Sequence, residues 1–153
     1  NPFGTGQLAW SESGRSHFAD VRVLFLTDFA VLAFSAVVCL LLLGLRLNGK
    51  LRFHRPLGRG PGFWAGILAA GLVLVAGGLA ALDFERAFVL FHALFFPGKD
   101  NWLFDPAVDQ IILVMPETFF RNCAILIGVV LLLCCGVLIV SDLLRRSRSP
   151  EKV

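Results

Sequence analysis

Phe119-Phe120-Arg121-Asn122-Cys123-Ala124-Ile125-Leu126-Ile127-Gly128-Val129-Val130-Leu131-Leu132-Leu133-Cys134-Cys135-Gly136-Val137-Leu138-Ile139-Val140 is, after its first turn, almost pure aliphatic. A helix needs roughly 20 such residues to cross a hydrocarbon layer. Within that layer every backbone N–H and C=O must be satisfied by the segment itself, which a helix does and an irregular chain does not. This run therefore reads as a membrane span. Two others match it in length, Leu24 to Leu45 and the Gly- and Ala-rich Phe63 to Leu82, and nothing else in the chain is long enough.

The rest of the composition agrees. Hydrophobic residues make up 57% of the 153 and charged residues 16%, far from soluble averages. Mean hydropathy is +0.78. Three spans leave no room for a sizeable soluble domain. The expected fold is an all-α integral membrane protein with three transmembrane helices and a short interfacial or re-entrant helix. As one domain it divides into an extracytoplasmic segment at 1–22, spans at 23–46, 63–82 and 119–141, a basic loop at 47–62, a second extracytoplasmic segment at 83–118, and a cytoplasmic tail at 142–153. The interfacial helix is expected at 86–96.

Lys and Arg near span ends stay on the cytoplasmic side, while acidic residues count for little. The first loop carries Arg46, Lys50, Arg52, Arg55 and Arg59, and the tail Arg145, Arg146, Arg148 and Lys152. The two remaining segments hold eight of the eleven acidic residues and only Arg15, Arg22, Arg86 and Lys99. The amino terminus is thus expected outside and the carboxyl terminus inside. The net charge of +3 then reports topology and carries no nucleic-acid footprint. An outside start needs an export element, so a hydrophobic segment is expected upstream of Asn1; no lipid-attachment motif marks the start. Cys39, Cys134 and Cys135 lie inside spans and Cys123 near the outer interface, a usage that fits packing better than a disulfide or metal site.

Ala87 to Phe96 is too short to span and is bounded by Glu85-Arg86 and Pro97-Gly98, as an interfacial helix would be. Phe84, Phe88, Phe91 and Phe95 fall on one helical stripe with His92 at its border. The plain reading is an aromatic anchor among headgroups. Beyond it, Asn101, Asp105 and Asp109 can hydrogen-bond a headgroup, orient an imidazole, or simply solvate a loop. Pro116-Glu117 suits the first turn of the last span. If a helix begins near Ser16, His17, Asp20 and Asp28 share roughly one face. Asp28 is then either a functional acid or an interfacial acid paired with Arg22 or Arg121. His54, among Arg52, Arg55 and Pro56, is a loop residue near anionic headgroups.

Two stretches are more specific. Phe91-His92-Ala93-Leu94-Phe95-Phe96-Pro97-Gly98 is followed by Asn101-Trp102-Leu103-Phe104-Asp105-Pro106 and by Met115-Pro116-Glu117-Thr118-Phe119-Phe120. Together with Ser16-His17-Phe18-Ala19-Asp20-Val21-Arg22, these resemble the bacterial lipoprotein intramolecular transacylases, in the same order and with both histidines on one side of the membrane. The resemblance implies a multi-pass enzyme of the bacterial cytoplasmic membrane with its active site facing outward. Its implied reaction moves the sn-2 acyl chain of a diacylglyceryl-cysteine lipoprotein to the cysteine α-amino group, giving lyso-lipoprotein. It implies His17 and His92 as the catalytic pair, with Asp20, Arg22, Asn101 and Asp105 matching positions around them; Trp102, within the quoted motif, and Asp28, by its depth in the span, are further supporting candidates. It also implies an earlier span and a fuller extracytoplasmic segment before the Ser-His motif.

The chemistry fits, because ester-to-amine transfer needs an ammonium deprotonated, an oxyanion stabilised and an alkoxide protonated. Two imidazoles can share those tasks with no cofactor and no metal, in either order. Asp20 would fix a tautomer and Arg22 would hold a glyceryl or headgroup oxygen. Acyl chains would lie along the phenylalanine stripe and the small-residue second span. The partners are then a diacylated lipoprotein and membrane lipid. Two alternatives stay open. One is a non-catalytic accessory subunit of a larger membrane complex, told by a stoichiometric partner membrane subunit without lipid chemistry; the other is a bis-histidine haem b protein, told by a Soret band. The transacylase reading requires that the two imidazoles meet, although 74 residues of chain lie between them.

Overall fold

The computed structural model describes residues 10–147, so the tail cations Arg148 and Lys152 lie outside the described residues. Its elements are all helical: α1 (Glu12–Leu47), a 3₁₀ turn (Pro56–Gly58), α2 (Pro61–Leu82), α3 (Phe84–Phe95), α4 (Ile111–Val114) and α5 (Glu117–Ser147). Three of these, α1, α2 and α5, are long and apolar enough to cross a membrane. No strand occurs among the described residues.

α1 starts earlier than the sequence suggests, and the reason is a cap. The Ser11 hydroxyl accepts the Gly14 N–H at 2.8 Å, and Glu12 places an acid in the first turn. The helix then runs 36 residues without a break, about 54 Å at 1.5 Å per residue. That exceeds the roughly 30 Å of a hydrocarbon core. The surplus is its first eleven residues, Glu12 to Arg22, which hold Glu12, Arg15, His17, Asp20 and Arg22 and lie outside the apolar stretch.

Asp83 ends α2 and starts α3. Its carboxylate accepts the Arg86 N–H at 3.0 Å and pairs with the Arg86 side chain at 3.0 Å. At the far end of α3, Phe96-Pro97-Gly98-Lys99 forms a turn closed by the Lys99 N–H donating to the Phe96 carbonyl at 3.2 Å. Gly98 sits at φ 72°, which an L side chain rarely adopts, so proline and glycine occupy the two central positions of a type II turn. α5 begins directly after Pro116, whose carbonyl accepts the Phe119 N–H at 2.9 Å.

The chain divides into two compact units. The first comprises residues 1–51 and 88–120, thus α1, most of α3, the loop, α4 and the first turn of α5. The second comprises 52–87 and 121–153, thus the basic loop, α2 and most of α5. In the second unit small residues matter at Gly66, where an added Cβ would lie 3.0 Å from Ile139 Cγ1 and 3.1 Å from the Cys135 carbonyl oxygen. Gly71, Gly77 and Gly78 meet nothing within 4 Å, so most of the glycine in α2 serves no close approach among the described residues. Asp142 pins the start of α2, accepting the Gly60 N–H at 3.0 Å and standing 3.8 Å from Arg59, whose guanidinium also lies over the Phe63 ring. Arg59 is therefore a paired cation.

Outward faces are hydrocarbon. Phe34 and Leu40 of α1 stand 71% and 68% exposed, an arrangement suited to lipid and hostile to water. Among the described residues the buried polar side chains are His17, His92 and Asp109.

Candidate active site

Position and spacing put a polar cluster on the surplus turns of α1. Gly14, His17, Phe18 and Val21 recur at helical spacing and turn toward α3 and the loop, while Glu12, Arg15 and Arg22 face away. Gly14 permits close approach: a Cβ there would lie 2.6 Å from Asp109 Oδ1 and 3.2 Å from Phe104 Cε1. Asp109 itself accepts the Ser11 N–H at 2.7 Å and the Ser11 hydroxyl at 3.1 Å. Its own N–H donates to the Asp105 carbonyl at 2.7 Å. A buried carboxylate thus ties the loop to the first turn of α1, where unsatisfied helix donors favour an anion.

α3 presents Phe88, His92 and, one residue past its end, Phe96. This departs from the expected stripe. Phe91 and Phe95 are 46% and 45% exposed and stack on each other at 4.6 Å, facing outward. The inward face is set by i, i+4 spacing through His92, which lies at its centre rather than its border.

The structure brings His17 and His92 together, with ring centroids 5.7 Å apart and planes inclined by 36°. His92 stacks on Trp102 at 4.5 Å and packs on Phe88 at 4.3 Å. Phe96 meets the His17 ring edge-on at 4.9 Å and Phe104 does so at 5.6 Å. The Trp102 indole N–H donates to the Lys99 carbonyl at 3.1 Å, which fixes the ring that covers His92.

The pair lines a pocket of about 570 Å³ whose other walls are almost wholly apolar, including Phe18, Val21, Phe25, Ile112, Met115 and Phe120. Those walls come from α1, α3, the loop, α4 and the start of α5.

Proton positions follow from partners. His92 Nδ1 lies 2.8 Å from the Phe88 carbonyl oxygen, which only accepts, so the neutral ring carries its proton on Nδ1 and leaves Nε2 bare. Burial holds the His92 pKa below its ordinary 6.5, partly offset by that carbonyl. Burial also lowers His17, and a charged His92 would lower it further; Asn101 and Asp20 act in the opposite sense. Both rings are therefore neutral at pH 7.

The remaining candidates separate. Asp20 accepts Lys99 Nζ at 2.5 Å and Asn101 Nδ2 at 2.9 Å, and these two donors hold its carboxyl below the usual carboxylate range. Asn101 Nδ2 also donates to the Ser16 hydroxyl at 2.9 Å. Asp105 lines the pocket while accepting the Ala107 N–H at 2.9 Å. Arg22 and Asp28 are exposed on α1 and outside the pocket walls. Asp28 is about 16 Å along the helix axis from His17. His54 is exposed on the basic loop. The sequence reading missed Lys99 as the partner of Asp20, Asp109 as the clasp on α1, and Phe96 and Phe104 as the walls around His17. Lys99 and Asp109 are polar loop residues among several, and only folding picks them out.

Fold and site define a polytopic helical membrane protein with two imidazoles in a largely apolar pocket. The family model described as "Lipoprotein intramolecular transacylase Lit" matches residues 1–120. A solved structure, the membrane integral lipoprotein intramolecular transacylase Lit from Bacillus cereus, superposes with a TM-score of 0.72 at 30% identity. That match covers 94% of this chain, which spans 64% of the Bacillus cereus chain. No curated protein matches. The chain belongs to the lipoprotein intramolecular transacylase family.

Proposed function

We propose that this chain catalyses intramolecular O-to-N acyl transfer on a diacylglyceryl-cysteine lipoprotein, in the bacterial cytoplasmic membrane with the pocket facing outward. The observation that carries it is the meeting of two neutral imidazoles, 5.7 Å apart, in an apolar pocket. Amine and ester belong to one substrate molecule. Proximity, which can supply on the order of 7–11 kcal/mol in such reactions, is then partly built into the substrate. What water cannot supply in that setting is positioned proton transfer, and the pocket holds the two groups suited to it.

His92 is the general base, because its Nδ1–H is committed to the Phe88 carbonyl and its bare Nε2 is free. The amine nitrogen attacks the sn-2 ester carbonyl carbon as Nε2 takes a proton from nitrogen. The tetrahedral intermediate collapses with cleavage of the bond to the sn-2 oxygen, and His17, having taken the first proton of the ammonium, delivers it to that oxygen. The products are an amide on the cysteine nitrogen and a glyceryl hydroxyl; starting from the ammonium, one proton leaves to water. The aromatic wall receives the acyl chain. Lys99 and Asp20, paired beside His17, set the polar rim, while Arg22 and Asp28 stand exposed on α1 outside the pocket walls.

Replacing His17 or His92 by Ala is expected to cut conversion of a diacylated reporter lipoprotein by about 100- to 10,000-fold, the usual worth of positioned acid–base catalysis. Mass spectrometry of the reporter reads this, with membrane levels of each variant as control. Undiminished lyso-product from both variants would sink the assignment.

A further inference from the structure

Two buried polar atoms of the first unit lack a hydrogen-bond partner: His17 Nδ1 and Asn101 Oδ1. They are complementary, one able to donate and the other only to accept. The Asn101 amide is not free to turn. Its Nδ2 is held by the Ser16 hydroxyl and by Asp20 Oδ2, both at 2.9 Å, so Oδ1 is the end left for His17. Ser16 is the chain neighbour of His17, and Asp20 is one turn along the same helix. Lys99 holds the other oxygen of Asp20 and so keeps that carboxylate from competing for the ring.

We propose that Asn101 is a positioning residue that fixes the tautomer of His17, its amide oxygen taking the Nδ1 proton so that Nε2 faces the pocket bare. Such an acceptor raises the basicity of the ring, in the sense that Asn101 acts on His17 here. The two atoms stand short of ordinary hydrogen-bond geometry in this structure, and catalytic hydrogen bonds commonly tighten on substrate binding.

The two imidazoles then share one arrangement. The Phe88 carbonyl takes Nδ1–H of His92, the Asn101 amide takes Nδ1–H of His17, and both Nε2 atoms open on the pocket without protons. For catalysis, and resting there on the transacylase reading, a pair of this kind suits a nucleophile that arrives as an ammonium. His17 Nε2 takes the first proton and, as imidazolium, passes it to the departing sn-2 oxygen. His92 Nε2 takes the second during attack and releases it to water. Every proton is accounted for with no external acid. A pair in which His17 carried Nε2–H at rest would accept only one of the two.

The test is ¹⁵N NMR of ring-labelled histidine in the full chain in detergent micelles, beside the reporter assay. Unsubstituted protein is expected to show His17 protonated on Nδ1; protonation on Nε2 instead overturns the proposal. Asn101→Ala is expected to weaken the preference for Nδ1–H by about two- to tenfold, the range one neutral hydrogen bond covers. It should lower kcat more than KM. Asn101→Asp keeps an acceptor at the same place and serves if the alanine variant does not fold. It is expected to retain Nδ1–H and move the His17 titration to higher pH, and an unmoved titration counts against the proposal as firmly as an unchanged tautomer in Asn101→Ala. A correct tautomer pattern without any transacylation would leave the positioning role standing and remove the enzymatic reading.

Discussion

At the level of single side chains, the site works by withholding charge. His17 and His92 are buried in aromatic surroundings, and burial favours the neutral ring in each. The sign of the pH response follows. Protonation as pH falls through the lowered values removes the bare Nε2 and also charges two groups that folding keeps neutral. Both activity and folding stability are thus retained above the ordinary histidine pKa of 6.5 and lost below it. Reporter conversion measured from pH 8 downward should stay level to about 6.5 and fall only at lower pH. A fall centred above 6.5 would mean that the rings are not desolvated as described.

Helix and turn explain why the rings meet. α1 carries its site residues on turns beyond the apolar stretch, and Asp109 fastens that extension to the loop. Gly14→Ala would drive a methyl group to 2.6 Å from Asp109 Oδ1. The expected cost is about 1–3 kcal/mol of stability, as for other overpacked contacts, with a fall in reporter conversion because His17 is one turn away. Thermal unfolding in detergent reads the first and mass spectrometry the second. An unchanged midpoint would show that the clasp is dispensable. The spans were plain in the sequence because hydrocarbon thickness dictates a length, and α2 at Pro61–Leu82 lies within two residues of its expectation. The start of α1 was not, because several serines precede the apolar stretch and only the fold shows that Ser11 caps it, with Asp109, 98 positions away, fastened to the same residue. Phe91 and Phe95 look as apolar as Phe88 in sequence, and only the fold shows that Phe88 lines the pocket with His92 while the other two stay exposed.

For the whole chain, three spans alternate the sides of their ends, and the cation pattern predicts which side is which. The outer assignment of the histidine pocket rests on Arg46, Lys50, Arg52 and Arg55 staying in the cytoplasm; Arg59 contributes less, being paired with Asp142. A reporter enzyme fused after Val153 is expected to be active only in its cytoplasmic form, and one inserted near Asp105 only in its exported form. The reverse pattern would turn the pocket inward and count against the proposed reaction at the outer leaflet. His17 and His92 were legible as candidates, because the cation pattern predicts one side of the membrane for both and imidazole suits proton transfer, and the resemblance then paired them; that rings with 74 residues of chain between them meet is known only from the fold. Arg22 and Asp28 show another limit: the resemblance pointed to Arg22 and helical periodicity to Asp28, and both stand exposed on α1 outside the pocket walls.

The polar character of what is buried sets how this protein can change over generations. An outward Leu or Phe meets fluid lipid that conforms to any aliphatic shape, so such positions can drift freely among apolar residues while rejecting charge. His17, His92 and Asp109 have no such latitude, because a buried polar group deprived of its partner has no solvent to turn to. Mutational tolerance is thus inverted relative to a water-soluble enzyme, with a permissive apolar exterior around an interior of hydrogen-bonding groups that must be inherited together.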